Sequence, residues 1–178
     1  MDIDFIKDII KNSPTYTGQK IAIYRGALRP KILIVGEYST FEDISVTKPI
    51  SGAKGRLLDT MLDELKLSGQ TGITNVIPYP IINTVGSTKH PSTMDISYFR
   101  PYIKKLISRI LPELVICMGN IATKAVIGYG EDACLTKFFV KNSRFYVGLR
   151  SIGYYQHNDS DFKLDFNNIY KNYFIDVE

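Results

Sequence analysis

The sequence contains an unbroken apolar run that ends in a small residue and an acidic residue, KILIVGE at positions 31–37. A run of this length is typical of a strand that is buried on both faces of a parallel sheet. In open α/β sheets the ligand site lies at the carboxyl ends of such strands, so Gly36 and Glu37 are the first candidate site residues. Apolar residues at helical spacing over 55–65 then predict a helix that returns the chain beside the sheet.

Strands and helices alternate along most of the chain. Apolar runs predict further strands over 73–77 and 114–118, and helical periodicity predicts helices over 2–12, 94–110, 121–127 and 161–174. The β-rich stretch 138–155 predicts a hairpin around 141–143 that feeds the last sheet strand. This alternation predicts an α/β fold: a three-layer α/β/α sandwich with a mainly parallel central four-stranded sheet, formed by one domain over residues 1–178.

The composition narrows the functional classes. Cys117 and Cys134 show no metal-ligand spacing, so we expect neither a metal site nor a disulfide framework. The chain has no run of roughly 18 apolar residues and no signal-peptide pattern, so we expect an intracellular protein, cytoplasmic or nucleoid-associated, with no membrane partner. The net charge of +4 permits a polyanionic partner, and basic residues concentrate in 85–110 and 137–150.

Six short motifs follow one another between residues 31 and 160. They are GEYST (36–40), ED (42–43), PISG (49–52), GRLL (55–58), ITNV (73–76) and LVICMGNIA (114–122). In this order and spacing they resemble the uracil-DNA glycosylase superfamily, most nearly its family 4 branch. That branch carries Gly-Glu-Ala-Pro-Gly, an acidic pair, Pro-Phe-Val-Gly, Gly-x-Leu-Leu, Ile-Thr-Asn-Val and a strand followed by Gly-x-x-Ala. The resemblance implies DNA, single- or double-stranded, as the partner, and we expect a monomer.

The chemistry of base removal suggests roles for the residues at the strand ends. A glycosylase must flip a nucleotide out of DNA, hold the base by its Watson–Crick edge and stabilise the anion that leaves. Asn75 suits the holding task because its amide offers a donor and an acceptor, although it can also cap the turn before Pro78. The resemblance implies that Glu37 positions or activates water, with the alternative that it only caps its loop. The substrate-binding positions are then Gly36, Tyr38, Ile50 and Asn75.

Two histidines compete for the second catalytic position, which in the family is a late His, usually followed by Pro-Ser, at the end of the last sheet strand. His90 matches the residue types of the motif, since Pro91 and Ser92 follow it, but it precedes the helix predicted from residue 94. His157 matches the position of the motif in the chain, because it follows the strand-like run SIGYY at 151–155. The resemblance therefore implies that His157 stabilises the leaving base, and Glu37 and His157 are the expected catalytic residues.

Several residues depart from the family pattern. Tyr38 is much larger than the Asp, Asn or small residue found at its place, and Ile50 replaces the Phe that sandwiches the base. Tyr38 can substitute for that aromatic face by stacking on the base, or it can shrink the pocket or exclude uracil. Asp159 and Asp161 lie where the family's loop probes DNA, and carboxylates there repel phosphates.

The family 4 branch also carries a four-cysteine iron–sulfur cluster. Tyr79 and Phe99 occupy two of the ligand positions in this chain, and the first thirty residues contain no Cys. We therefore expect no cluster and no other cofactor.

Two function classes follow. The first is a monofunctional DNA glycosylase, a hydrolase that removes uracil or a modified pyrimidine. The second is a catalytically silent module that keeps the fold to bind DNA or protein, for example in replication or defence. A third class, a small nucleotide-binding α/β protein, is disfavoured because the loop after residue 36 lacks the Gly-rich and Walker patterns that cradle phosphates.

Overall fold

A computed structural model describes residues 4–175, and a six-stranded sheet forms its centre. The strands are β1 (Arg25–Gly26), β2 (Ile32–Tyr38), β3 (Thr71–Ile77), β4 (Leu114–Met118), β5 (Phe138–Lys141) and β6 (Arg144–Leu149). They lie in the order β1-β3-β2-β4-β6-β5. The inner strands β3, β2, β4 and β6 are parallel, whereas β1 and β5 pair antiparallel at the two edges. The α/β class is confirmed, but the sheet has two edge strands beyond the four predicted.

Eight α-helices are described in residues 4–175. They are α1 (Asp4–Lys11), α2 (Phe41–Val46), α3 (Gly52–Glu64), α4 (Thr93–Ile110), α5 (Asn120–Val126), α6 (Glu131–Cys134), α7 (Ile152–Tyr155) and α8 (Asp159–Tyr170), with a 3₁₀ turn at Ser68–Gln70 and a π-helical turn at Lys171–Ile175. The helix predicted over 2–12 begins partly outside the described residues, as do both ends of the domain predicted over 1–178. Within the described range, none of these helices is long and apolar enough to cross a membrane.

The two faces of the sheet bury separate hydrophobic clusters. Alternate residues of a strand point to opposite faces, and β2 divides accordingly. Leu33 and Val35 pack in a cluster with residues of α1, α4 and α5, which we call the first core. Ile32 and Ile34 pack with residues of α3, α7 and α8, the second core. These two cores make the molecule a three-layer α/β/α sandwich.

For the segment after β4, one prediction from the sequence is confirmed and one is wrong. The hairpin of β5 and β6 turns at Asn142 and Ser143, whose φ angles of 51° and 57° fit a type I′ turn. Beyond β6, however, the run 151–155 forms α7 rather than a strand. The hydroxyl of Ser151 accepts a hydrogen bond from the Tyr154 N–H at 3.2 Å, which caps the helix.

Buried aromatic rings occupy the two positions that the resemblance assigns to cluster ligands. Tyr79 and Phe99 are both fully buried in the first core, and their ring centroids lie 5.8 Å apart in an edge contact. The Tyr79 hydroxyl donates to Ser13 Oγ at 2.8 Å and lies 3.0 Å from Thr15 Oγ1. These contacts tie the segment after α1 to the end of β3.

Candidate active site

A cavity of about 600 Å³ opens at the carboxyl ends of the inner parallel strands. This volume is within the range of small-molecule sites. Its walls include residues of the strand ends (Gly36, Glu37, Tyr38, Asn75, Met118), of the loop before α3 and its first turn (Ile50, Ser51, Lys54), and of α7 with its flanking residues (Ser151, Ile152, Gly153, Gln156). Five of the six residues predicted for the site therefore meet in one cavity. The sixth, His157, is not among the lining residues.

Glu37 faces the cavity and at the same time caps the start of α5. Its Oε1 accepts a hydrogen bond from the Ile121 N–H at 3.1 Å. Gly119, with a φ of +95°, passes so close to the carboxylate that a Cβ on it would collide with Glu37. Burial raises the pKa of the Glu37 carboxyl, and the Ile121 N–H and the charges of His90 and Lys54 oppose that rise. Glu37 therefore caps α5, and its place in the cavity also allows it to contact a bound water.

Asn75 is an oriented amide at the back of the cavity. The side chain is 2% exposed, and its Nδ2 donates to Ser39 Oγ at 3.0 Å. The Oδ1 atom lies against Gly36, where a Cβ would collide with it. Among the described residues, Oδ1 has no hydrogen-bond partner. The amide therefore retains an acceptor, together with its second N–H, for a ligand.

Ile50 covers Gly36 from the opposite side and has an uncommon backbone conformation. Its φ of +50° lies in the left-handed region, which a β-branched residue rarely adopts. Arg25 holds this turn: Nε donates to the Pro49 carbonyl at 2.8 Å and Nη2 donates to the Ile50 carbonyl at 2.9 Å. A third nitrogen, Nη1, pairs with Asp59 at 2.7 Å. Arg25 belongs to β1, a strand that the sequence analysis did not predict, so the clamp on this turn was missed as well.

The acidic pair 42–43 divides into a structural and a solvent-facing member. Asp43 is buried, and its carboxylate accepts hydrogen bonds from the Thr40 N–H at 2.8 Å and the Ser51 N–H at 2.6 Å. The Thr40 hydroxyl in turn accepts from the Asp43 N–H, which completes a capping box for α2. Glu42 is exposed at the cavity wall. Asp43 therefore ties the loop before α3 to the end of β2.

Tyr38 lines the cavity and contacts His90. Their ring centroids lie 5.8 Å apart in an edge contact. Burial, and secondarily the charge of Glu37, raises the pKa of the Tyr38 phenol, so the hydroxyl stays protonated at neutral pH. His90 does not line the cavity, but its charge lowers the pKa of the Glu37 carboxyl.

His157 lies in the turn between α7 and α8 and is exposed. Its backbone N–H donates to the Tyr154 carbonyl at 3.1 Å. Because 151–155 is a helix, the residues that reach the cavity after β6 are Ser151, Ile152, Gly153 and Gln156 instead. The catalytic role of His157 stays a prediction, and the structure does not bring its side chain to the cavity.

Lys54 was not recognised in the sequence analysis. It lies in the first turn of α3, lines the cavity, and is the one basic residue to do so among the described residues. Its Nζ lies 3.6 Å from the point that a Cβ on Gly153 would occupy. Only its position just before the Gly-x-Leu-Leu motif could have drawn attention to it. As for metals, residues 4–175 contain no group of three His, Cys, Asp or Glu side chains arranged to hold an ion.

Comparison with known proteins gives consistent matches. The family model described as the uracil DNA glycosylase superfamily matches residues 23–172. A type-4 uracil-DNA glycosylase of Pyrobaculum aerophilum is 28% identical over 132 residues, which cover 71% of this chain and 65% of that protein. A type-4 uracil-DNA glycosylase of Sulfurisphaera tokodaii is 28% identical over 110 residues, which cover 60% of this chain and 48% of that protein. The chain thus spans less than two thirds of either relative.

Proposed function

This chain belongs to the uracil DNA glycosylase superfamily, and from that premise we propose that it hydrolyses the N-glycosidic bond of uracil, or of a modified pyrimidine, in DNA. The observation that carries the proposal is the meeting of Glu37 and Asn75 in one cavity at the ends of adjacent parallel strands. Glu37 supplies a carboxylate that burial makes more basic, and Asn75 supplies an amide with a free acceptor.

Asn75 holds the flipped base in this proposal. A pyrimidine such as uracil presents a carbonyl oxygen next to an N–H, which matches the donor and acceptor of a side-chain amide. Ser39 fixes the orientation of Asn75 by accepting from its Nδ2. Because the amide is oriented before the base arrives, less conformational freedom is lost on binding.

Glu37 accepts a proton from the water molecule that attacks the sugar in this proposal. The C1′–N1 bond breaks, and its electron pair leaves with the base, which becomes an anion. The water oxygen bonds to C1′, and the water proton passes to the Glu37 carboxylate. That proton then returns to the base, directly or through solvent, so the products are an abasic site and a neutral free base.

Tyr38 narrows the cavity beside this site. Its ring is half-buried and held by the contact with His90. A ring at this place supplies a face for the bound base, a role that Ile50 cannot fill. It also limits the size of the bases that enter, so Tyr38 is the residue that we expect to control base preference.

A second candidate function, a silent DNA-binding module, is favoured by one specific observation. Neither of the histidines, His90 and His157, lines the cavity among residues 4–175. A member of the family without a donor to the leaving base binds DNA but releases no base. The net charge of +4 is compatible with this function as well.

An assay of abasic-site formation separates the two functions. Single- and double-stranded oligonucleotides with one uracil are incubated with the protein, cleaved at abasic sites by alkali and separated on a gel. The glycosylase proposal expects strand cleavage that depends on uracil and disappears in Asn75→Leu. The silent module would be favoured instead if the protein binds DNA with an affinity that falls steeply with salt but cleaves no substrate with uracil or a modified pyrimidine.

A further inference from the structure

The position of Lys54 is unusual for a lysine in this molecule. Its side chain is half-buried in the first turn of α3, and its Nζ extends toward Gly153 of α7, which also lines the cavity. Residues 4–175 provide it with no salt-bridge partner and no side-chain hydrogen bond. The ammonium is therefore an uncommitted positive charge inside the cavity rather than part of a surface ion pair.

The surroundings of Lys54 suit an anion that appears only transiently. Glu37 and Lys54 line the same cavity, so both groups can act on a molecule bound there. The other lining residues near α7 are neutral, namely Ser151, Ile152 and Gly153. When the C1′–N1 bond breaks, negative charge develops on the oxygens of the pyrimidine in this space, and a preorganised cation stabilises it.

Resting on the proposed function, we propose that Lys54 is a catalytic residue: its ammonium donates a hydrogen bond to an oxygen of the leaving pyrimidine anion. The electron pair of the C1′–N1 bond spreads onto that oxygen and stays with the base until the base is protonated. Lys54 keeps all three of its protons throughout. It supplies the stabilisation that the sequence analysis assigned to His157, a residue that does not line the cavity.

The test compares Lys54→Met with Lys54→Arg under single-turnover conditions on uracil-containing DNA. Removing one preorganised donor costs about 100- to 1000-fold in rate, so we expect a loss of that order for Lys54→Met and partial recovery for Lys54→Arg. Affinity for DNA that carries 2′-fluorodeoxyuridine, which resists cleavage, should stay within about threefold, because the uncleaved base is neutral.

Lys66→Met is the matched control. Lys66 lies just past the far end of α3, roughly 18 Å along the helix from Lys54, and is exposed, so its variant should match wild type. His157→Ala in the same assay compares the two candidates for the stabilising role. A 100- to 1000-fold loss in His157→Ala with none in Lys54→Met would transfer the role to His157 and overturn the proposal.

A pH profile supplies a readout that misfolding would not produce. Because the charge of Lys54 lowers the pKa of Glu37, Lys54→Met should move the acid limb of the rate profile to higher pH. An equal loss of rate and of affinity, with a weaker salt dependence, would instead identify Lys54 as a phosphate contact and overturn the proposal.

Binding of 5-nitrouracil separates this inference from the proposed function. The nitro group makes this base acidic, so it can be offered as an anion without DNA and without catalysis. Wild type should bind it more tightly than uracil, and Lys54→Met should lose that preference. If wild type shows no preference for the anion, the inference fails even if base release is found. If wild type prefers the anion and Lys54→Met does not, but no base is released, the proposed function fails and Lys54 is an anion-binding rather than a catalytic residue.

Discussion

Glu37 experiences opposing influences on its protonation. Burial raises the pKa of its carboxyl above the ordinary 4.5, while the Ile121 N–H, His90 and Lys54 favour the charged form. In return, its charge adds to the rise that burial causes in the pKa of Tyr38 and in the pKa of Glu131 on α6. The residue is thus the electrostatic centre of the site, and its ionisation should govern the pH dependence of base release.

We predict that the single-turnover rate falls as pH decreases, with a midpoint above 4.5. Protonated Glu37 cannot accept a proton from water, and its folded-state pKa is raised, so the base form is lost earlier than for an ordinary carboxyl. Rates measured from pH 4 to pH 8 with Glu37→Gln as the comparison test this. An acid limb at or below 4.5, or an unaffected rate in Glu37→Gln, would contradict the assignment. His90→Gln should move the limb to higher pH, because a positive charge near Glu37 is removed.

Asn75 and Ser39 should act as one unit. Asn75→Ala removes the amide, whereas Ser39→Ala leaves the amide in place without the partner that orients it. We expect Asn75→Ala to slow base release more than Ser39→Ala, and the double variant to resemble Asn75→Ala alone. A double-mutant cycle on single-turnover rates measures this coupling. Additive losses in the double variant would show that Ser39 does not work through Asn75.

The contrast between Asn75 and His157 shows which residues the sequence can locate. Asn75 lies near the carboxyl end of β3, a buried strand whose apolar run is visible in the sequence, and it lines the cavity as expected. His157 was assigned by counting along a segment read as a strand. A helix advances 1.5 Å per residue and a strand about 3.3 Å. Reading the helix as a strand therefore gave wrong expected positions for the side chains that follow it, including His157.

At the scale of elements, the clamp on the loop before α3 links β1 to the cavity. β1 has only two residues, Arg25 and Gly26, too few for any periodic pattern to predict a strand. The type I′ hairpin of β5 and β6 was predictable because its turn chemistry is local, whereas the Arg25 contacts join positions 24 and 25 residues apart. The acidic residues Asp159 and Asp161 find a local explanation as well: both lie in the first turn of α8, where carboxylates stabilise a helix.

We predict that Arg25→Met lowers the free energy of unfolding by about 2 kcal/mol, because two backbone carbonyls lose a charged donor. Asp59→Asn should cost less than about 1 kcal/mol, since the Asp59 side chain is 48% exposed and the ion pair is partly screened. Urea denaturation of both variants measures the difference. Equal losses would show that the ion pair, and not the carbonyl clamp, holds the turn at Ile50. Arg25→Met should also slow base release, because Ile50 covers the cavity floor at Gly36.

At the scale of the whole molecule, the cavity joins the two cores. Tyr38 packs against the first core, and Ile50 belongs to the second. The α/β/α arrangement was predictable because strand and helix periodicities alternate along the chain. The edge strands and the choice of side chains that reach the cavity depend on tertiary contacts, such as Lys54 with α7, that leave no periodic signal.

We predict that the purified protein shows no visible absorbance from an iron–sulfur cluster and that chelators leave its melting temperature unchanged. Tyr79 and Phe99 fill the corresponding region with a packed aromatic contact. Tyr79→Phe should lower the free energy of unfolding by about 1 kcal/mol, because the hydroxyl loses its bond to Ser13. Stoichiometric iron, or a melting temperature that falls on chelation, would contradict this expectation.

The most direct test of the account is a crystal structure of the protein with DNA that carries 2′-fluorodeoxyuridine. We predict that the uracil is flipped out of the DNA into the cavity between β2, β3 and α7. The Asn75 amide should lie within about 3.2 Å of the base edge, and Lys54 Nζ should point toward a base oxygen. A uracil that stays stacked in the DNA, or DNA bound on another face with the cavity empty, would contradict the central claim.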